Sequence, residues 1–106
     1  MIMVVNRIAV AEGFGEQFEA RFRNRAQLVD KRPGFVRWEL QRPIKGDTYN
    51  VVTYWESVQD FEAWTSSPEF QQGHTHRTGD APPKEMFRGK SVLEIHEVVR
   101  EAAKEA

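Results

Sequence analysis

Apolar residues recur at every second position through the first ten residues, with Ile2, Val4, Ile8 and Val10 in one register and Met3, Val5 and Ala9 in the other. That period predicts a strand from about Ile2 to Val10 with apolar residues on both faces. Asn6 breaks the pattern between Val4 and Ile8. A primary amide on a face that reads as buried costs about 1 to 3 kcal/mol unless its carbonyl and amino groups find partners. The glycines of "AEGFGE" end the strand. Phe14, Phe18, Phe22, Ala26 and Val29 then recur at spacings of three and four, which predicts a helix from about Glu16 to Asp30 with one inward face. Pro33 and Gly34 stop it. Two further alternating runs follow. Phe35 to Arg42 carries Val36, Trp38 and Leu40 on one side; Thr48 to Glu56 carries Tyr49, Val51 and Trp55 on one side and Val52 and Tyr54 on the other. The turn "PIKGD" between them predicts a hairpin.

Ser57, with Asp60 three residues on, forms a short capping box that opens a helix bearing Phe61 and Trp64. Ser67 can cap a second piece with Pro68 at its first helical position, and this piece carries Phe70 and His74. Residues 78–90, "TGDAPPKEMFRGK", read as a loop with a turn of helix near Glu85. "SVLEIHEVV" supplies a fourth strand, and the Glu-Ala-Lys tail from 101 to 106 reads as frayed helix or disorder. The order βαββαβ predicts a ferredoxin-like α+β domain over residues 1–100, an antiparallel four-stranded sheet with both helices on one face. Two helices cover one face only. Strands with apolar residues on both sides therefore predict a second copy packed sheet to sheet, a homodimer.

With 106 residues the chain is one domain. Its 15 Lys plus Arg against 16 Asp plus Glu leave a net charge of −1, which gives no electrostatic reason to expect nucleic acid or an anionic membrane. There is no cysteine, so disulfides, thiolate metal sites and cysteine nucleophiles drop out. The apolar opening from Met1 to Val5 is too short for a signal peptide or a membrane span. A cytoplasmic protein is expected. Aromatic residues make up 11% of the chain, enough to line a pocket as well as fill a core.

Candidate chemistry is sparse. Asn6 reads either as a partner for a bulge or neighbouring backbone, or as a polar donor inside an apolar pocket. Trp64 beside Phe61 serves packing as readily as a cofactor contact. His74 and His76 lie two apart, so on a helix they point about 200° from each other and cannot share a metal from one face. Phe70 and His74 share a face, which favours His74 as the inward residue. Gly73 leaves room for close approach or marks a helix end. Arg21 and Arg25, one turn apart on the first helix, could clamp carboxylates or simply face solvent. His96 reads as a packing or surface residue. The sequence has no hydrolase triad, phosphate loop, paired-carboxylate site or zinc motif.

Taken together, "VVNRI", "RFRNR", "RPGF", "TYWES" and "FEAWTSSPEFQQGHTH", in this order, resemble the antibiotic biosynthesis monooxygenase family, and within it the IsdG-type heme-degrading monooxygenases. The likeness covers residues 1 to 76 and the last strand. It implies a ferredoxin-like dimer whose two sheets form a barrel. It also implies a site of Asn6, Trp64 and His74, with His74 on the heme iron and Asn6 donating on the open, oxygen-binding side. Trp64 would press on and bend the porphyrin. Arg21 and Arg25 match basic positions near heme, and Phe22 and Phe70 are expected beside it. Heme would be both substrate and cofactor, opened with O2 and electrons from an external reductase, because the chain shows no flavin or nicotinamide motif. His76 stands as a rival ligand. Two alternatives share the resemblance: a cofactor-independent quinol or anthrone monooxygenase, and a non-catalytic heme-binding protein.

Overall fold

The first strand holds the sheet together from its middle. In the computed structural model, which describes residues 1–23, 29–70 and 83–104, β1 (Ile2–Ala9) pairs antiparallel with both β3 (Thr48–Trp55) and β4 (Val92–Glu97). β2 (Phe35–Gln41) pairs with β3, giving the order β2-β3-β1-β4. The helices α1 (Gly15–Arg23) and α2 (Val58–Thr65) follow β1 and β3. Single turns of 3-10 helix occupy Val29–Lys31 and Lys84–Met86, the latter at the turn expected near Glu85. This is the ferredoxin-like arrangement. Residues 98–104 adopt neither helix nor strand, and Val98 N–H donates to the Met1 carbonyl at 3.0 Å.

Two apolar clusters divide the helix-bearing side. Val10, Phe18, Phe22, Tyr49 and Met86 form one, with Ile8, Trp38, Leu40 and Val51 packed against it. Ile2, Val4, Trp55 and Trp64 form the other, joined by Val29, Phe35, Phe61 and Phe70. α1 supplies Phe18 and Phe22 to the first, and α2 supplies Trp64 to the second. One expected facing is wrong. The β2–β3 register shifts between Phe35 and Arg37, so Val36 is the extra residue of a bulge and the alternation inverts across it. Phe35 turns inward instead, edge-on to Trp55 with ring centres 5.4 Å apart, and Val36 is left exposed.

The helix-free face also departs from expectation. Val5 and Val52, cross-strand partners on that face, are 2% and 1% exposed within a single chain. Their other direct neighbours are Glu94 and Glu39. Around them runs a chain of polar contacts across all four strands. Arg7 donates to Asn50 and Glu94, His96 meets Glu94 at 3.0 Å, Asn50 donates to Gln41, and Gln41 donates to Glu39. Arg37 pairs with Glu39 at 3.2 Å and lies 4.3 Å from the centre of the Tyr54 ring. The centre of this face is buried within a single chain, polar side chains run around it, and Met3, Tyr54 and Val92 remain partly or fully exposed on it.

Local devices set the helix starts. Ser57 Oγ accepts from Asp60 N–H at 3.2 Å and donates to the Asp60 carboxylate at 2.9 Å, the expected capping box. Ser67, buried, accepts from Phe70 N–H at 3.1 Å and donates to the Trp64 carbonyl at 2.6 Å, so helix resumes at residue 68 as expected. Gly34 has φ +80°, and a Cβ there would sit 2.1 Å from Asp60 Oδ2. Only glycine lets the turn before β2 press against α2.

Two measurable consequences follow from this packing. Glu19 on α1 accepts from Arg42 Nε at 2.7 Å and from Tyr49 Oη, tying the helix to the end of β2 and to β3. Those hydrogen bonds, Arg42 first and Tyr49 second, hold its carboxyl down from an ordinary 4.5 to about 2. A carboxylate whose folded value is depressed contributes stability above the ordinary value and loses it as pH falls through the folded value. Chemical denaturation should therefore show stability falling between pH 4.5 and about 2, and Glu19→Gln should flatten that part of the profile. Trp64, 8% exposed, fills the second cluster, so Trp64→Ala should lower the unfolding free energy of the ligand-free protein by about 3 to 5 kcal/mol, read from the shift in denaturation midpoint.

Candidate active site

Asn6 sits at the seam between the two clusters. Along β1 its neighbours on the same face are Val4, which belongs to the α2-side cluster, and Ile8, which packs on the α1-side cluster. Across the sheet it is paired with Val51 on β3 and Leu93 on β4. The side chain is half-buried, and its amide has no hydrogen-bond partner among the described residues. Strand geometry fixes its direction: in this register an amide at position 6 must point to the side where the helices lie. The result is an available amide donor and acceptor surrounded by aliphatic groups.

Trp64 reaches the same side from α2. It is buried against Ile2, Val4 and Trp55, and its ring meets Phe70 edge-on, with centres 5.5 Å apart and planes at 90°. Val4 is two residues from Asn6, about 7 Å along the strand, so Asn6 and the Trp64–Phe70 pair border one region of the sheet. On the other side of the seam Phe22 is buried, edge-on to Phe18 at 5.1 Å and tilted against Trp38 at 6.1 Å. Arg21, its neighbour on α1, is half-buried. Arg32 and Glu69 lie 4.0 Å apart and bridge the turn before β2 to the helical turn holding Phe70. His74, His76, Gly73 and Arg25 lie outside the described residues. The structure thus brings together Asn6, Trp64 and Phe70, sets Phe22 and Arg21 on the facing helix, and leaves His96 on the surface beside Glu94.

Leu93 was given no role by sequence reasoning, although it is the cross-strand neighbour of Asn6. The only signal for it was the register of β4 against β1, and alternation alone does not fix register. A separate recess of about 340 Å³ lies at the far end of β1, bounded by Val10, Gly13, Gly15, Tyr49 and Arg88; none of the residues singled out from the sequence lines it. Among the described residues no group of three or more His, Cys, Asp or Glu is placed to hold a metal ion, and no helix is long and apolar enough to cross a membrane. Chemically, among the described residues the seam offers the Asn6 amide for hydrogen bonding, within walls of aliphatic and aromatic side chains.

Comparison with known proteins bears on what such a seam holds. A heme oxygenase (mycobilin-producing) from Mycobacterium tuberculosis is 37% identical over 99 residues, 92% of this chain and 90% of its own length. A heme oxygenase (staphylobilin-producing) from Staphylococcus haemolyticus is 36% identical over 80 residues, 73% of this chain and 76% of its own. Among solved structures, the heme-degrader MhuD from Mycobacterium tuberculosis, with two hemes bound in its active site, superposes with a TM-score of 0.80 at 38% identity, covering 97% of this chain and all of that one. The antibiotic biosynthesis monooxygenase family model matches residues 1–76. On that match and those identities, with the fold shared across nearly the whole chain, the chain belongs to the antibiotic biosynthesis monooxygenase family.

Proposed function

We propose that this protein is a heme-degrading monooxygenase, acting in the cytoplasm with O2 and electrons from an external donor, and that the seam between the two clusters is where its substrate binds. The observation that carries the reading is the half-buried amide of Asn6, which has no hydrogen-bond partner among the described residues and stands among apolar side chains next to the cluster of Trp64 and Phe70. Heme suits such a place: a broad apolar plate needs apolar walls, and its reacting centre needs a few directed polar groups. The heme-degrading relatives support the substrate class.

When bound, heme supplies both the iron that activates oxygen and the ring that is opened. The rest falls to the chain. His74 is the proposed iron ligand, through a neutral imidazole nitrogen. Asn6 would donate a hydrogen bond to the bound substrate from a rigid central strand; a donor fixed beforehand in a dry site avoids the reorganisation that water would need. Trp64, braced by Trp55's cluster and by Phe70, would be a stiff wall against the macrocycle. Phe22 closes the α1 side, and Arg21 and Arg25 pair with the acidic substituents of the ring. We also propose a homodimer through the helix-free sheet face, whose polar contacts would form its border.

Two experiments test these readings. Protein loaded with one hemin per chain, given ascorbate or a reductase under air with catalase present, should lose its Soret band and release chelatable iron. Asn6→Ala should keep hemin but turn over about 10²- to 10³-fold more slowly, and His74→Ala should lose the ligand-field features that His76→Ala retains. Stable hemin in the wild-type protein would point instead to storage. Light scattering at micromolar concentration should give twice the chain mass of 12.3 kDa. A monomeric mass would exclude the dimer.

A further inference from the structure

We infer that Leu93 and Ile95 on the edge strand form the apolar floor on which the substrate ring rests, and so help to determine selection for a large flat apolar ligand. This rests on the heme reading above and goes further by assigning the ring's contact to β4. The register is the first observation: Leu93 pairs with Asn6, and Ile95 pairs with Val4. Directly paired residues project to the same side of a sheet, so both point to the helix-bearing side and Leu93 flanks the Asn6 amide.

Exposure is the second. On that side, β1 and β3 bury Ile2, Val4 and Trp55 at 7%, 4% and 0%, whereas Leu93 and Ile95 are 57% and 44% exposed. Two aliphatic side chains, one strand repeat apart, therefore make an open shelf that continues the floor of the seam outward from Asn6. An aliphatic pair offers a ring nothing to hydrogen-bond, only area, and burying that area is favourable in proportion to its extent. A plate whose reacting centre lies over Asn6 must extend past β1, and the shelf meets it on the β4 side. Small polar substrates would gain nothing from it.

The test is a Soret titration with hemin on the full-length protein. The wild-type chain should saturate. Leu93→Asp and Ile95→Asp should weaken hemin binding by about ten-fold or more, Leu93→Ala should weaken it less, and Leu93→Met should bind as the wild type does. Ile44→Asp, at a fully exposed loop position, controls for added charge and should have no effect. Because both shelf residues are exposed, mass and thermal midpoint should be unchanged in all of these variants. Equal hemin binding by wild type and both aspartate variants would overturn the floor and leave the heme reading intact. No saturation by the wild type would overturn both. A change of mass in the aspartate variants would assign the shelf to contact between copies and overturn the floor as well.

Discussion

The central position of β1 is the constraint on which the other features depend. Because the strand pairs on both edges, its alternation fixes the facing of β3 and β4 together, and a slip by one residue would exchange every side chain between the helix-bearing and helix-free sides. Ile2, Val4, Ile8 and Val10 give that slip a high cost, since each joins a cluster under a helix. Asn6 is then carried to the inner side by its neighbours. Its placement is a by-product of four aliphatic residues, which is how a polar group comes to stand there with no partner among the described residues.

Much of this was legible from alternation and end signals. The element order, the hairpin, the Ser57 and Ser67 starts and the turn at 84–86 each rest on local chemistry that a sequence states openly: period two or three to four, a hydroxyl before a helix, a proline or glycine after it. Val36 was misread because a bulge is a tertiary compromise. The gain from seating the larger Phe35 ring against Trp55 outweighs regular alternation, and no single residue announces it. The helix-free face was misjudged for a related reason. Val5 and Val52 look exposed to a reader counting helices, yet both are buried within a single chain.

The candidate site shows the same limit more sharply. Asn6 and Trp64 could be marked as unusual from the chain alone, but their nearness depends on α2 lying over Val4, which is a matter of packing. The place of Leu93 beside Asn6 was invisible until β4 was registered against β1. Residue type can be read from the chain, whereas which residues are neighbours needs the fold.

The division of the inner face into two closed clusters has a mechanical side. Each cluster is completed by its own helix, α1 over Phe18 and Phe22, α2 over Trp64, and Asn6 lies where neither is anchored. A protein whose interior is one continuous core must open a void to admit a large plate, and voids in close-packed matter are costly. Two separate clusters instead leave a line between them, and a broad plate lying along it would border buried side chains of both without disturbing the packing inside either.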